Sequence, residues 1–267
     1  MKISRIQYPT FCYGYQDRMM TLSNQEKLPL AISKNDVAVS LYRSKKLLTV
    51  TQNILNNRLS VLDNDKWLSE ICIWADEFNL SEEVVPRQKE TLLESTTLYL
   101  FQDNITYLPN AIGKLEHLNL LNIRESQITA LPESIGCLRH LDKLYIRGTQ
   151  LTTLPESIKY IDGLTEIDIR WNQLMNLPES IGQLSHLTEL YLSWNQLITL
   201  PESIGCLSNL VELDISKNHL TTLPESIIQL KNLEWFYYAD NPLQDLSVEI
   251  QQFLNQFDQE NYGRLKG

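Results

Sequence analysis

Three sets of recurring residues have the side chains from which chemistry is built. Glu166, Glu189 and Glu212 recur at intervals of 23 residues. On neighbouring strands they would stand about 5 Å apart, a separation at which paired carboxylates hydrolyse glycosidic bonds. His117, His140 and His186 share one recurring position and carry imidazoles of the kind that ligate metals. Arg124, Arg147 and Arg170 share another, and stacked guanidinium forks fit carboxylate or phosphate groups. A repeat creates all these alignments automatically. Acid–base chemistry also needs a pocket that raises one carboxylate's pKa, and none is legible, so a solvated glutamate ladder is expected. Gly163, Asn209 and Asn232 stand in the histidine slot of other repeats, which reads as turn chemistry and not as a metal site. No nucleophile, metal or phosphate-binding motif occurs elsewhere. The expectation is no catalytic residue, no metal, no cofactor and no enzymatic activity.

The positioning elements follow from a Leu-Pro pair at Leu108, Leu131, Leu154, Leu177, Leu200 and Leu223, always 23 residues apart. The repeating unit reads LPESIGxLxxLxxLxIxxNxLxT, as in residues 200–222. Leu213 and Ile215 alternate with period 2, so each unit has a short strand with one face to the core. Asn172, Asn195, Asn218 and Asn241 follow their strands by three residues; their amides can bond turning backbone and form a ladder. Asp103, Ser126 and Thr149 hold that place in the early repeats. Proline predicts an irregular or short helical return segment, and the glycine of IGxL is expected to permit the turn back. The glutamates of LPES, from Glu133 to Glu225, suit a short helix's start. Cys137 and Cys206 share a repeat position and are expected in the core.

A stacked row must be covered at both ends. Trp67, Leu68, Ile71, Trp74, Ala75 and Phe78 have helical spacing, predicting an N-terminal cap; Ile250, Phe253, Leu254 and Phe257 predict a C-terminal cap helix. The chain has 267 residues, 43% of them hydrophobic, and a net charge of −10. That charge argues against nucleic-acid binding. It is uneven: residues 1–60 hold nine Lys/Arg against three Asp/Glu (+6), leaving fourteen against thirty (−16). Residues 33–62 have helical spacing, and the aromatic stretch QYPTFCYGYQ near the start is expected in a packed lobe or a tail docked on the acidic repeats, ahead of a single-stranded nucleic-acid site. With no secretory leader, no membrane-length apolar run and no CxxC pair, a cytoplasmic protein with reduced thiols is expected.

These residues resemble the 23-residue leucine-rich-repeat class found in Ras-suppressor-type, plant intracellular Ras-group and bacterial proteins. The resemblance implies an α/β solenoid: a right-handed horseshoe with a parallel concave β-sheet of about seven strands, working by protein recognition. The shorter, two-proline repeat of secreted ubiquitin-ligase effectors is not present, nor is a cysteine-bearing catalytic domain after the repeats. The expected organisation is a lobe of unknown type at 1–64, a helical cap at 65–95, the solenoid at 96–245 and a C-terminal cap at 246–267.

Columns along the concave sheet can be read from the period. The mid-strand column runs Tyr99, Asn122, Tyr145, Asp168, Tyr191, Asp214, Tyr237. The next exposed column runs Phe101, Arg124, Arg147, Arg170, Ser193, Ser216, Ala239, with Trp171 and Trp194 just beyond. Before the mid-strand column lie Lys143, Glu166, Glu189, Glu212 and Trp235. Repeated like charge and exposed tryptophan are not expected from stability alone, whereas arginine and large aromatics dominate binding hot spots. The expected partner is another protein on this face, with an acidic or phosphorylated segment against the arginines, and neither nucleic acid nor membrane. An ordinary strand surface, with Arg170 paired to Glu166 or Asp168, is the plainer alternative. Two further alternatives are a leaderless secreted bacterial effector or immunity-type inhibitor, and an enzyme whose catalytic lobe lies at the N-terminus.

Overall fold

Each unit places two apolar side chains on one face of a strand and then meets a proline that cannot pair in a sheet, so the chain must leave the strand and return by another path. The computed structural model describes residues 65–258 and 264–265, and shows this path six times between seven strands. Strands β1 (Thr97–Phe101), β2 (Leu120–Arg124), β3 (Lys143–Arg147), β4 (Glu166–Asp168), β5 (Glu189–Tyr191), β6 (Glu212–Asp214) and β7 (Trp235–Tyr237) pair in parallel and in sequence order. Their register advances by one unit per strand, as in Tyr145↔Asp168 and Asp168↔Tyr191. The returns are 3-10 turns such as Glu179–Gln183, each entered through the proline at a φ near −69°. Between strand and turn lies one continuous apolar core, in which Leu144, Ile146, Ile167, Ile169, Leu190 and Leu192 have no accessible surface.

The asparagine ladder forms as expected. Asn195 Oδ1 accepts the Leu174 N–H at 3.0 Å, while its Nδ2 donates to Ile169 O at 2.8 Å and Leu192 O at 2.9 Å. Asn218 repeats these bonds one unit on. The glycine has a different reason from the expected one. Gly182 has no left-handed φ; a Cβ there would lie 2.3 Å from the Ser203 carbonyl oxygen of the next unit. It sets how closely the turns stack. Lys159 and Ile228 hold the same slot in two other units. The glutamates also act between units: Glu179 and Glu202 accept the N–H of Ser203 and Ser226, each at 3.2 Å. Cys137 and Cys206 are exposed, not core residues, because their position falls on the outer side of the 3-10 turn.

Both caps are present. Helix α1 (Lys66–Glu77) buries Ile71, Trp74 and Ala75, and Trp74 Nε1 donates to the first unit's Tyr107 carbonyl at 2.9 Å. A short helix α2 (Lys89–Leu93) leads into β1. At the other end α3 (Val248–Leu254) buries Ile250, Phe253 and Leu254, capped by the Ser247 hydroxyl. Phe257, expected on that helix, instead lies on β8 (Phe257–Asp258), with its ring 5.5 Å from Phe236. Strand β9 (Arg264–Leu265) pairs antiparallel with both β7 and β8 and so continues the sheet past β7. The expectations for residues 1–64 and for Cys12 lie outside the described residues.

Removing one rung tests the ladder: Asn195→Ala strands several buried backbone groups and should lower unfolding free energy by about 2–4 kcal/mol in urea titration. Gly182→Ala, which forces two turns apart, should cost about 1–3 kcal/mol. An unchanged midpoint for either variant would mean that the stack does not depend on that contact.

Candidate functional site

The sheet's exposed face carries the three expected columns in register: Tyr99↔Asn122↔Tyr145, Phe101↔Arg124↔Arg147 and Glu166↔Glu189↔Glu212. What lies between the columns differs from the sequence expectation at two positions. Asp168 has no accessible surface and Asn122 is also buried, so neither is a direct contact for a partner. Their short side chains lie beneath longer arginines. Arg147 and Arg170 both pair with Asp168 Oδ2, the latter at 2.6 Å, and Arg170 Nε and its backbone N–H donate to Oδ1 at 3.0 and 3.2 Å. Burial opposes the charge on Arg170, but its bonds to Asp168 outweigh this and hold its pKa above the ordinary value. Arg124 Nε donates to Asn122 Oδ1 at 3.1 Å; among the described residues Arg124 has no carboxylate partner.

The plainer alternative therefore holds in part: Arg170 does pair with Asp168. Three guanidinium groups over one carboxylate still leave a net charge of +2. Each cation also lies against a ring: Arg124 on Phe101 at 5.6 Å, Arg147 on Tyr145 at 5.2 Å, and Arg170 on Tyr191 at 5.0 Å and Trp171 at 5.4 Å. Lys217 lies over Trp194 at 4.6 Å; it stands in the tryptophan slot of the next unit, one position past the arginine column, and sequence reasoning missed it.

Trp171 and Trp194 are 49% and 50% exposed and have left-handed φ of 57° and 58°. Bulky residues rarely adopt that conformation. Glu125, Gly148, Lys217 and Asp240 occupy the same left-handed slot, and Gly148 is the signal from which the sequence could have revealed it. Tyr99 and Phe101 are exposed on the first strand, whereas Tyr145, Tyr191, Trp235 and Tyr237 are half-buried, as is Asp214, whose Oδ1 accepts from the Ser216 hydroxyl at 2.6 Å.

The glutamate column divides in two. Lys143 Nζ at 2.8 Å and the Tyr145 hydroxyl at 2.7 Å both donate to Glu166; burial and that bond push the Tyr145 hydroxyl up to about 12. The Tyr191 hydroxyl donates to Glu189 at 2.8 Å and also faces Glu212, but one proton serves only one acceptor at a time. Burial and the neighbouring charges of Glu189 and Asp214 raise the Glu212 pKa, against the lowering effect of Tyr191. Among the described residues no Lys or Arg forms an ion pair with Glu189, Glu212 or Asp214. The histidine slot serves the turns: His186 Nδ1 lies 2.8 Å from Asp162 O, where Asn209 and Asn232 likewise bond the preceding unit's backbone at 2.7 Å.

Two measurements follow from these environments. Asp168→Asn leaves two part-buried guanidinium groups without their counter-charge and should cost on the order of 3 kcal/mol in unfolding free energy; no loss would show that solvent already screens them. A carboxyl whose pKa is raised in the fold costs stability as pH climbs from its unfolded value through its folded one. Glu212→Gln should therefore be more stable than wild type at pH 7 and match it at pH 3, where both are neutral. Equal stability at both pH values would contradict the raised pKa.

Comparison with known proteins places the stack in a family. A model of the leucine-rich repeat region matches residues 76–169, and a leucine-rich repeat model matches residues 186–207 and 209–230. No match is found among curated proteins. Among solved structures, a leucine-rich-repeat protein of Leptospira interrogans is 35% identical, with 61% of this chain and 42% of that one covered and a TM-score of 0.57. The plant peptide hormone receptor RGFR1, solved in complex with RGF2, is 30% identical over 56% of this chain and 25% of its own, with a TM-score of 0.52. PEPR1–AtPEP1 gives 32%, 58%, 22% and 0.52 in the same terms. The match thus spans less than half the length of each of these structures. Such solenoids commonly mediate protein–protein interaction and are typically binding scaffolds without catalysis. With parallel strands at a constant 23-residue register, asparagine rungs between them and repeat models matching residues 76–169, 186–207 and 209–230, this chain is a leucine-rich-repeat protein.

Proposed function

We propose that this chain is a non-catalytic recognition module that holds a protein partner on the exposed face of its sheet. The observation that carries this reading is the pair Trp171 and Trp194, each half exposed in a left-handed conformation unfavourable to its side chain. Folding gains little from either arrangement. A partner that covers the rings offsets both, and the adjoining arginine row supplies the charge that orients it. The likeness to a peptide hormone receptor solved with RGF2 supports a polypeptide ligand. A cytoplasmic role in a bacterium belongs to the same proposal, supported by the free thiols of Cys72, Cys137 and Cys206 and by the likeness to the Leptospira protein.

The slot itself provides a clean test, because Gly148 already occupies it in another unit. Trp171→Gly with Trp194→Gly should fold with wild-type stability or better, yet weaken capture of the natural partner from its host by at least tenfold. Arg124→Glu should do the same, whereas Glu156→Lys on the exposed 3-10 side should leave capture unchanged. Equal capture by all four proteins would move recognition away from the sheet and overturn the proposal.

A further inference from the structure

The charges on the sheet face are sorted along the stack as well as across it. On β2 to β4 the Lys143–Glu166 pair cancels, and Arg124, Arg147 and Arg170 outnumber Asp168. On β5 and β6, Glu189, Glu212 and Asp214 carry three negative charges with no ion-paired cation among the described residues, since Lys217 pairs with Asp240 at 2.6 Å. One half of the face is positive and the other negative, and half-buried tyrosines run through both.

We infer that the partner presents an extended segment of mixed charge to this face, its acidic residues against Arg124 and Arg147 and its basic residues against Glu189 and Glu212. This deepens the sheet-face reading and rests on it. A segment of one sign would gain at one end of the face and be repelled at the other. The geometry fixes the separation. Across the sheet, Arg147 and Glu189 are two strand spacings apart, about 10 Å, and Arg124 and Glu212 four, about 19 Å. The arginine column also lies four residues further along the strands than the glutamate column, about 13 Å, so the opposite charges stand about 16 to 23 Å apart. An extended chain advances about 3.3 Å per residue, so its opposite charges stand about five to seven positions apart. A helix, rising about 1.5 Å per residue, would need about eleven to fifteen. Tyr145 and Tyr191 lie between the arginine and glutamate columns, each half-buried with an arginine over its ring.

The test displays random 15-residue peptides to the full chain and then measures labelled peptides from the selection by fluorescence polarisation. Enriched peptides should carry Asp/Glu and Lys/Arg about five to seven positions apart. Their affinity should fall at least tenfold in Arg124→Glu and also in Glu189→Lys with Glu212→Lys; Lys143 already occupies the equivalent place on β3, so lysine is accommodated there. Acidic peptides lost by Arg124→Glu but kept or strengthened by the lysine pair would overturn the mixed-charge inference and leave the sheet-face reading intact. A spacing of about eleven or more would overturn the extended form alone. Failure to enrich any peptide, or enriched peptides indifferent to both variants, would overturn the inference and the sheet-face reading together.

Discussion

A side-chain amide buried between two passes of backbone must find partners for its carbonyl and for both its hydrogens, or the site is costly to desolvate. Asn195 finds them in three separate places: the N–H of Leu174, the carbonyl of Ile169 one unit back, and the carbonyl of Leu192 at the end of its own strand. Because these groups belong to two successive units, satisfying one amide locks the register between them. Every column on the sheet face inherits that lock. The rings and cations that face solvent are aligned by asparagines they never touch.

The period made the columns legible in the sequence, since any residue 23 positions from another must be its neighbour once the stack forms. The apolar alternation gave the core, and the flanking tryptophans gave the first cap. Side-chain length was not legible in the same way. Asp168 and Asn122 occupy the tyrosine column, and only the three-dimensional reach of Arg147, Arg170 and Arg124 over them shows that they are covered. The glycine of IGxL was legible as important but not for its reason, because the Ser203 carbonyl that excludes a Cβ from Gly182 belongs to another unit. Phe257 was misplaced for a related cause: helical spacing continues past Leu254, but β9 offers the following residues a strand partner.

The face sets local stability against order in the rest of the stack. Glu212 is held partly out of water near two other carboxylates, and two tryptophans sit in a backbone conformation that suits glycine. A core of fully buried leucine and isoleucine, repeated in every unit, tolerates these local penalties. Asp168 shows the opposite solution, a buried carboxylate paired with both Arg147 and Arg170, which holds those two guanidinium groups on the face. A surface held in place before a ligand arrives loses less entropy on binding.

The reversal of strand direction after β7 bears on how such an array changes over generations. A parallel edge can accept another copy of the same unit, but the edge of β7 is already taken by β9, which pairs with it antiparallel. A further unit cannot pair with β7 there without displacing β9, which favours duplication or loss inside the array as the way its repeat number changes. A duplication at the junction of β4 and β5 would carry the acidic half of the face one strand spacing away from the arginines. Gene slippage of 69 base pairs would thus act as a ruler adjustment, altering the length of segment that fits without redesigning either end.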